Sequence, residues 1–190
     1  MNFIIDILER GGVGVLPTDT LYGIVGNAFL KRAVYRVYRL KKRSPKKACI
    51  MLIGAVEDLK KFGIRVTPRQ GRFLNKVWPG PVSVLFKVSS RFRYLHRGTN
   101  EIAFRLPKPI WLRKMLLTTG PLIAPSANYE GKEPAETIQE AQKYFGYEVD
   151  FYMDKRRLRG KPSTLVGFRR NHVIILREGI NAEKVRKIIF

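Results

Sequence analysis

The spacing of apolar residues along the chain switches repeatedly between a helical and an extended period. Ile4, Ile7 and Leu8 recur at helical spacing over residues 3–10, and Gly11-Gly12 ends that segment. Residues 13–16 follow as a short, continuously apolar run of buried-strand type that stops at Pro17. Over residues 31–41, Val34, Val37, Tyr38 and the stem of Lys41 share one helical face while arginines take the other. Residues 48–53 predict a strand and 55–62 a short helix. Thr67-Pro68 is a helix start with the threonine as N-cap, and Trp78-Pro79-Gly80-Pro81 is its stop. Strands are expected at 82–88 and 102–106, a helix at 110–117, and a strand at 121–125 that runs straight into Ser126-Ala127-Asn128. Thr137 and Glu140 form a capping-box pattern for a helix through Phe145. Residues 149–153, 164–168 and 173–176 complete the strands, and Asn181 caps a final helix. This alternation predicts an α/β fold, a single domain over residues 1–190 with a twisted sheet flanked by helices. A hairpin at Arg169-Arg170-Asn171-His172 makes the expected sheet mixed.

Composition narrows the class. At 190 residues and 45% hydrophobic the chain is long and apolar enough for one sizeable core. No apolar run approaches the roughly 18 residues of a membrane span, and Asp6 interrupts the opening segment, so the expectation is a soluble, unprocessed, cytoplasmic protein with no membrane partner. The single cysteine, Cys49, sits in an apolar run and reads as a buried core thiol. Charge changes the picture most: 37 Lys and Arg against 15 Asp and Glu leave a formal +22. Like charges at that density repel one another, and bound anions or a nucleic acid would relieve the repulsion.

The absences are informative about chemistry. Gly12-Val13-Gly14 precedes a strand and lacks a third glycine in register, so it is no dinucleotide fingerprint, and no Walker A ending is present. The two histidines, His96 and His172, lie in basic segments expected to be exposed, which argues against a zinc site or a Ser-His-Asp triad. What remains is chemistry by positioning, with cations and hydroxyls holding anionic reactants. Lys41-Lys42-Arg43 closes a helix, where cations are favoured even without a ligand, but six basic residues between Arg39 and Lys47 exceed what a helix end needs. Phosphate binding suits them, Arg as a planar fork and Lys as a point charge. Ser126 and Asn128 follow a strand end and can offer hydroxyl and amide groups to a ligand, although an ordinary turn would use the same residues. Arg105, between Phe104 and Leu106 in an apolar strand, requires an anionic partner from the protein or from a substrate. Two further segments, residues 91–97 and 152–161, mix cations with aromatics; each is a candidate RNA contact, and the glycine-containing stretch 155–161 is equally a candidate flap over the site.

Pro17-Thr18-Asp19-Thr20-Leu21-Tyr22-Gly23, Lys41-Lys42-Arg43, Ser126-Ala127-Asn128 and Ser163-Thr164 resemble, in order and spacing, the successive motifs of the YrdC-like threonylcarbamoyl-AMP synthase family. The resemblance covers roughly residues 11–179 and implies a YrdC-like fold with a concave basic face. It implies a nucleotidyltransferase that forms threonylcarbamoyl-AMP and pyrophosphate from L-threonine, bicarbonate and ATP for tRNA modification. ATP would be a substrate accompanied by Mg2+, with no permanently bound cofactor and no metal ligands of the protein's own. The downstream partner would be the threonylcarbamoyl transferase machinery, with tRNA contact through the basic surface. By position, the resemblance puts Thr18, Arg105, Ala124 and Ser163 at threonine, Lys41 and Arg43 at the ATP phosphates as the catalytic pair, and Ser126, Asn128 and Arg177 at the nucleotide. The chain departs from the family pattern at Ser44, where proline is usual, at Glu130, where serine is common, at Pro134, where a hydroxyl is common, and at Gly167, where an acidic residue is common. Two other readings are an RNA-binding relative without catalysis and a carbamoyl-AMP-forming relative that uses carbamoyl phosphate.

Overall fold

The computed structural model describes residues 1–170 and 172–189. In chain order the strands are β1 Val13–Pro17, β2 Tyr22–Asn27, β3 Ile50–Leu52, β4 Val82–Lys87, β5 Glu101–Arg105, β6 Leu122–Ile123, β7 Phe151–Tyr152, β8 Thr164–Arg169 and β9 His172–Arg177. The helices are α1 Asn2–Glu9, α2 Lys31–Leu40, α3 Pro68–Val77, α4 Arg93–His96, α5 Ile110–Thr119, α6 Ile138–Phe145 and α7 Ala182–Ile189. Among the described residues these nine strands form one sheet in the order β7-β1-β2-β6-β3-β5-β4-β8-β9. It is mixed: β1 runs parallel to β7, β3 to β5 and β4 to β8, and the other neighbours are antiparallel. The predicted segment 55–62 is a 3-10 helix, Val56–Phe62. Thr67 caps α3 as expected, accepting from Gln70 N while the Gln70 side chain accepts from Thr67 N. β8 and β9 form the expected hairpin, although Asn171 of its turn lies outside the described residues.

One strand, β2, has no counterpart among the sequence expectations. Its sequence, Tyr-Gly-Ile-Val-Gly-Asn, carries two glycines and no alternation, because both faces are buried. Gly26 is there for a packing reason. A Cβ at that position would meet the Ala33 side chain of α2 at 3.2 Å, so glycine lets the helix lie close on the strand.

Strand alternation distributes the core. Val13, Val15, Ile24, Met51, Phe104, Val84 and Val166 point to one face, where α2, α3, α6, α7 and the 3-10 helix cover them. Leu16, Val25, Leu52 and Leu122 point to the other, where α1 and α5 contribute Leu8, Leu112, Met115 and Leu116. The second layer is the shorter one. It covers β1, β2, β6 and the end of β3, and leaves that face of β5, β4 and β8 without a helix.

Candidate active site

On the uncovered face, period-two alternation turns Glu101, Ala103 and Arg105 of β5, Leu85 of β4 and Leu165 of β8 into one cavity of about 350 Å³. Thr18, Thr20, Arg43, Ala124, Ser126, Ser163 and Arg177 also line it, so segments far apart in sequence converge there. Seven of the nine site residues expected from sequence line it: Thr18, Arg43, Arg105, Ala124, Ser126, Ser163 and Arg177.

The turn from β1 to β2 builds one wall. Thr18 Oγ1 accepts from the amides of Thr20 (3.1 Å) and Leu21 (3.2 Å) and donates to the Leu21 carbonyl (2.7 Å), which folds the hydroxyl inward. Thr20 Oγ1 accepts from Arg105 Nη1 at 3.0 Å, and Arg105 Nη2 stands 3.4 Å from Asp19 Oδ1. Lys108 N fixes the other Asp19 oxygen at 3.1 Å. Arg105 is buried, and its Nε has no hydrogen-bond partner. Burial pulls its pKa below the ordinary arginine value; Asp19 opposes that pull and Arg177 adds to it. The guanidinium is thus held on two sides, and its Nε edge makes no hydrogen bond.

The opposite wall is cationic and suits phosphate. Arg177 Nη2 donates to Ser163 O (2.9 Å) and Ser163 Oγ (3.3 Å), and Ser163 Oγ shares a 2.9 Å hydrogen bond with the buried Ser83. Arg43 is braced by the carbonyls of Lys47 (3.2 Å) and Ala48 (2.9 Å). Burial, and then the nearness of Arg43, lowers the pKa of Arg177. Glu101 is spoken for by Arg169, through bonds of 2.8 and 3.0 Å. Three guanidinium groups therefore share a cavity whose one lining carboxylate, Glu101, is already paired with Arg169, and an anionic ligand is what relieves the imbalance.

Lys41 and Asn128 stand behind the cavity wall. Neither lines the cavity. Lys41 is buried with Nζ donating to Ser126 O (2.5 Å), Asn128 O (2.8 Å) and Asn128 Oδ1 (3.0 Å), which uses all three of its protons. Asn128 accepts from Ser126 Oγ at 2.6 Å and donates to the carbonyls of Tyr129 (2.9 Å) and Lys132 (2.5 Å). Both residues hold the Ser126 turn from behind; the family resemblance implies Lys41 at the ATP phosphates and Asn128 at the nucleotide. Burial and then the Arg43 charge push the Lys41 ammonium down to about 8, from an ordinary 10.5. Below pH 8 both folded and unfolded states carry the proton; between about 8 and 10.5 only the unfolded state does, so stability contributed by Lys41 rises with pH in that window. The neutral amine, however, has two donors for three acceptors. Urea unfolding from pH 7.5 to 10 is expected to show wild type gaining on Lys41→Met as pH rises, and a pH-independent difference would contradict the assignment.

Two departures from the family pattern explain each other. Ser44 stands where proline is usual and so has an N–H, which it donates to Glu130 Oε2 at 2.5 Å. Lys47 Nζ reaches the other oxygen at 2.7 Å. Glu130, the second departure, thereby ties the loop that carries Arg43 to the turn that carries Ser126.

The segment 154–161 lies across the β1–β2 turn. Tyr22 OH accepts from Lys155 N (2.9 Å) and donates to Arg156 O (2.7 Å), and a Cβ on Gly160 would strike the Thr20 carbonyl. Arg157 Nε is fastened to Glu136 at 2.7 Å. Thr20 and Tyr22, which the sequence reading placed in the Pro17–Gly23 motif without giving either a role, also line the cavity. His96, expected at the surface, is buried, and its Nδ1 accepts from the amides of Gly98 and Asn100, both at 3.1 Å. Burial lowers its pKa, so it serves as a neutral acceptor closing a turn. His172 is exposed.

Comparison with known proteins gives a consistent result. The Sua5_yciO_yrdC family model, described as "Telomere recombination", matches residues 6–179. The putative threonylcarbamoyl-AMP synthase of Methanocaldococcus jannaschii is 28% identical over 181 residues, 95% of this chain and 86% of that protein. The threonylcarbamoyl-AMP synthase of Hahella chejuensis is 30% identical over 78% of this chain and 82% of its own. The crystal structure of P. abyssi Sua5 complexed with L-threonine superposes with a TM-score of 0.91 at 25% identity over 98% of this chain, which spans 56% of that longer protein.

Proposed function

This chain belongs to the Sua5_yciO_yrdC family, and on that ground we propose that it is an L-threonylcarbamoyl-AMP synthase whose reaction takes place in the cavity between Arg105 and Arg177. The observation that carries the proposal is the convergence of Arg43, Arg105 and Arg177 on one cavity whose only lining carboxylate, Glu101, is paired with Arg169. In this reading Arg105 takes the threonine carboxylate on its free edge, with Thr18, Ala124 and Ser163 around the rest of the amino acid. Arg43 and Arg177 take the phosphates of ATP, and Ser126 lines the nucleotide side. Lys41 and Asn128 act as positioning residues behind Ser126.

The reaction asks little covalent chemistry of the protein. The threonine amine captures carbon dioxide from bicarbonate as a carbamate and releases a proton. A carbamate oxygen then attacks the α-phosphorus of ATP, the bond to the β-phosphate oxygen breaks, and pyrophosphate leaves. Fixed cations aimed at the phosphoryl oxygens stabilise the charge that develops in the transition state. Magnesium would enter as part of the MgATP substrate, with triphosphate oxygens and water among its ligands. The product's natural consumer is a transferase acting on tRNA.

Pyrophosphate release measured with each component omitted in turn is expected to require ATP, L-threonine and bicarbonate together. Carbamoyl phosphate in place of threonine and bicarbonate is expected to give none, and turnover with it would favour the carbamoyl-AMP alternative. Arg43→Ala is expected to lower kcat/KM on the order of 10²-fold with little loss of stability, since Arg43 is only half-buried and water can take over its bond to the exposed Lys47 carbonyl. Undiminished turnover in that variant would remove Arg43 from the phosphate site.

A further inference from the structure

The segment Arg91-Phe92-Arg93-Tyr94-Leu95-His96-Arg97 takes no part in the cavity described above. It folds as a 3-10 turn, Ser90–Phe92, followed by α4, and it packs against α2. A second cavity, of about 470 Å³, lies at that junction, walled by Lys31, Tyr35, Arg91, Arg93, Tyr94 and Arg97, with Pro45 and Ser90 at its margins.

Its chemistry is unbalanced in one direction. No carboxylate lines it, and among the described residues none of its four cations takes part in an ion pair. The cations are interleaved with ring faces. The Arg97 guanidinium sits 3.9 Å from the Tyr38 centroid and 5.1 Å from that of Tyr35, and Lys31 Nζ is 5.5 Å from the Tyr94 centroid. Arg97 is itself held in the left-handed region at φ 54, with a buried Nε that lacks a hydrogen-bond partner. Tyr94 OH is anchored to the Ala28 carbonyl at 3.0 Å, which fixes its ring. Tyr35 is half exposed, on the face of α2 turned away from its buried residues Ala33, Val34, Val37 and Tyr38.

We propose that this cavity binds a strand of RNA, with successive phosphates against Lys31, Arg91, Arg93 and Arg97 and an unpaired base stacked on Tyr35. Four like charges around one opening repel until a polyanion compensates them, in a chain whose net charge is already +22. A free polyphosphate would satisfy the cations but has no surface to lay on an exposed ring. A single-stranded nucleic acid supplies both, because every base has a stacking face and every linkage a charge. The inference goes beyond the proposed activity and does not rest on it, since none of these residues lines the catalytic cavity.

The test is fluorescence anisotropy of the full chain with a labelled 12-nucleotide single-stranded RNA across a salt series, without ATP or threonine. The double reversal Arg91→Glu/Arg93→Glu is expected to weaken binding at least tenfold and to flatten the slope of log K against log salt by about 1.4, two phosphate contacts on a single strand. Tyr35→Ala is expected to lose about tenfold and Tyr35→Phe to bind as wild type. Lys114→Glu/Lys184→Glu changes net charge equally at exposed positions elsewhere. An equal loss in that variant would mean that overall charge explains binding, and would overturn the site. Tripolyphosphate that displaces RNA with tighter affinity than the RNA itself, and loses its own binding in Arg91→Glu/Arg93→Glu, would overturn RNA as the occupant. Threonine-dependent pyrophosphate release is expected to be unchanged in Arg91→Glu/Arg93→Glu, so failure of this site and failure of the proposed activity are read separately.

Discussion

Arg105→Gln is expected to abolish practically all threonine-dependent pyrophosphate release, with kcat/KM for threonine falling on the order of 10³-fold, the equivalent of about 4 kcal/mol. The magnitude follows from where the guanidinium sits. It is buried in a sheet strand, bonded to Thr20 and paired at 3.4 Å with an equally buried Asp19, so a substrate carboxylate meeting its free edge would be far from screening water. The same burial means that the substitution strands Asp19 without a counter-charge, at a cost of about 3–5 kcal/mol in stability. Loss of activity in the single variant would therefore be ambiguous. The double variant Asp19→Asn/Arg105→Gln removes both charges and is expected to recover most of the stability in urea titration while remaining inactive. Recovered activity in the double variant would show that Arg105 only balances Asp19 and binds no substrate.

Lys41→Met carries the second large effect, through a different route. It leaves Ser126 O, Asn128 O and Asn128 Oδ1 facing an apolar side chain, and unfolding is expected to become easier by about 1–3 kcal/mol. Turnover is expected to fall on the order of 10²-fold or more, because Ser126 loses the support that sets its place in the cavity wall, and a displacement near 1 Å can cost that much. Lys41→Arg is not expected to rescue it: a planar fork cannot reproduce a three-way contact around one nitrogen. Wild-type kcat in Lys41→Met, with only nucleotide KM raised, would instead favour the direct phosphate contact that the sequence suggested.

The difference between the two residues shows what a sequence can and cannot disclose. Arg105 was legible because an arginine between Phe104 and Leu106 has no inexpensive explanation. Its alternation with Glu101 and Ala103 then follows from the period of a strand. Lys41 was legible as a cation at a helix end but not in its direction. Whether Nζ points into the cavity or behind it depends on the turn 126–128, more than eighty residues away in sequence. β2 escaped for a physical reason as well: a strand buried on both faces and opened by glycines for a close helix shows neither alternation nor β-branched enrichment. His96 escaped because its burial is achieved by two local amides, a contact no charge pattern foretells. The Ser44–Glu130 bond could have been suspected, since one position gained an N–H and another an acceptor, but only the fold brings the two within reach.

The most direct measurement is a crystal structure of the protein with L-threonine and a non-hydrolysable ATP analogue bound together. The account predicts the threonine carboxylate on the free edge of Arg105, the triphosphate against Arg43 and Arg177, and the threonine nitrogen and α-phosphorus close enough for one carboxyl group to bridge them. Threonine and nucleotide on separate surfaces, or either one bound with Arg105 and Arg177 untouched, would contradict it.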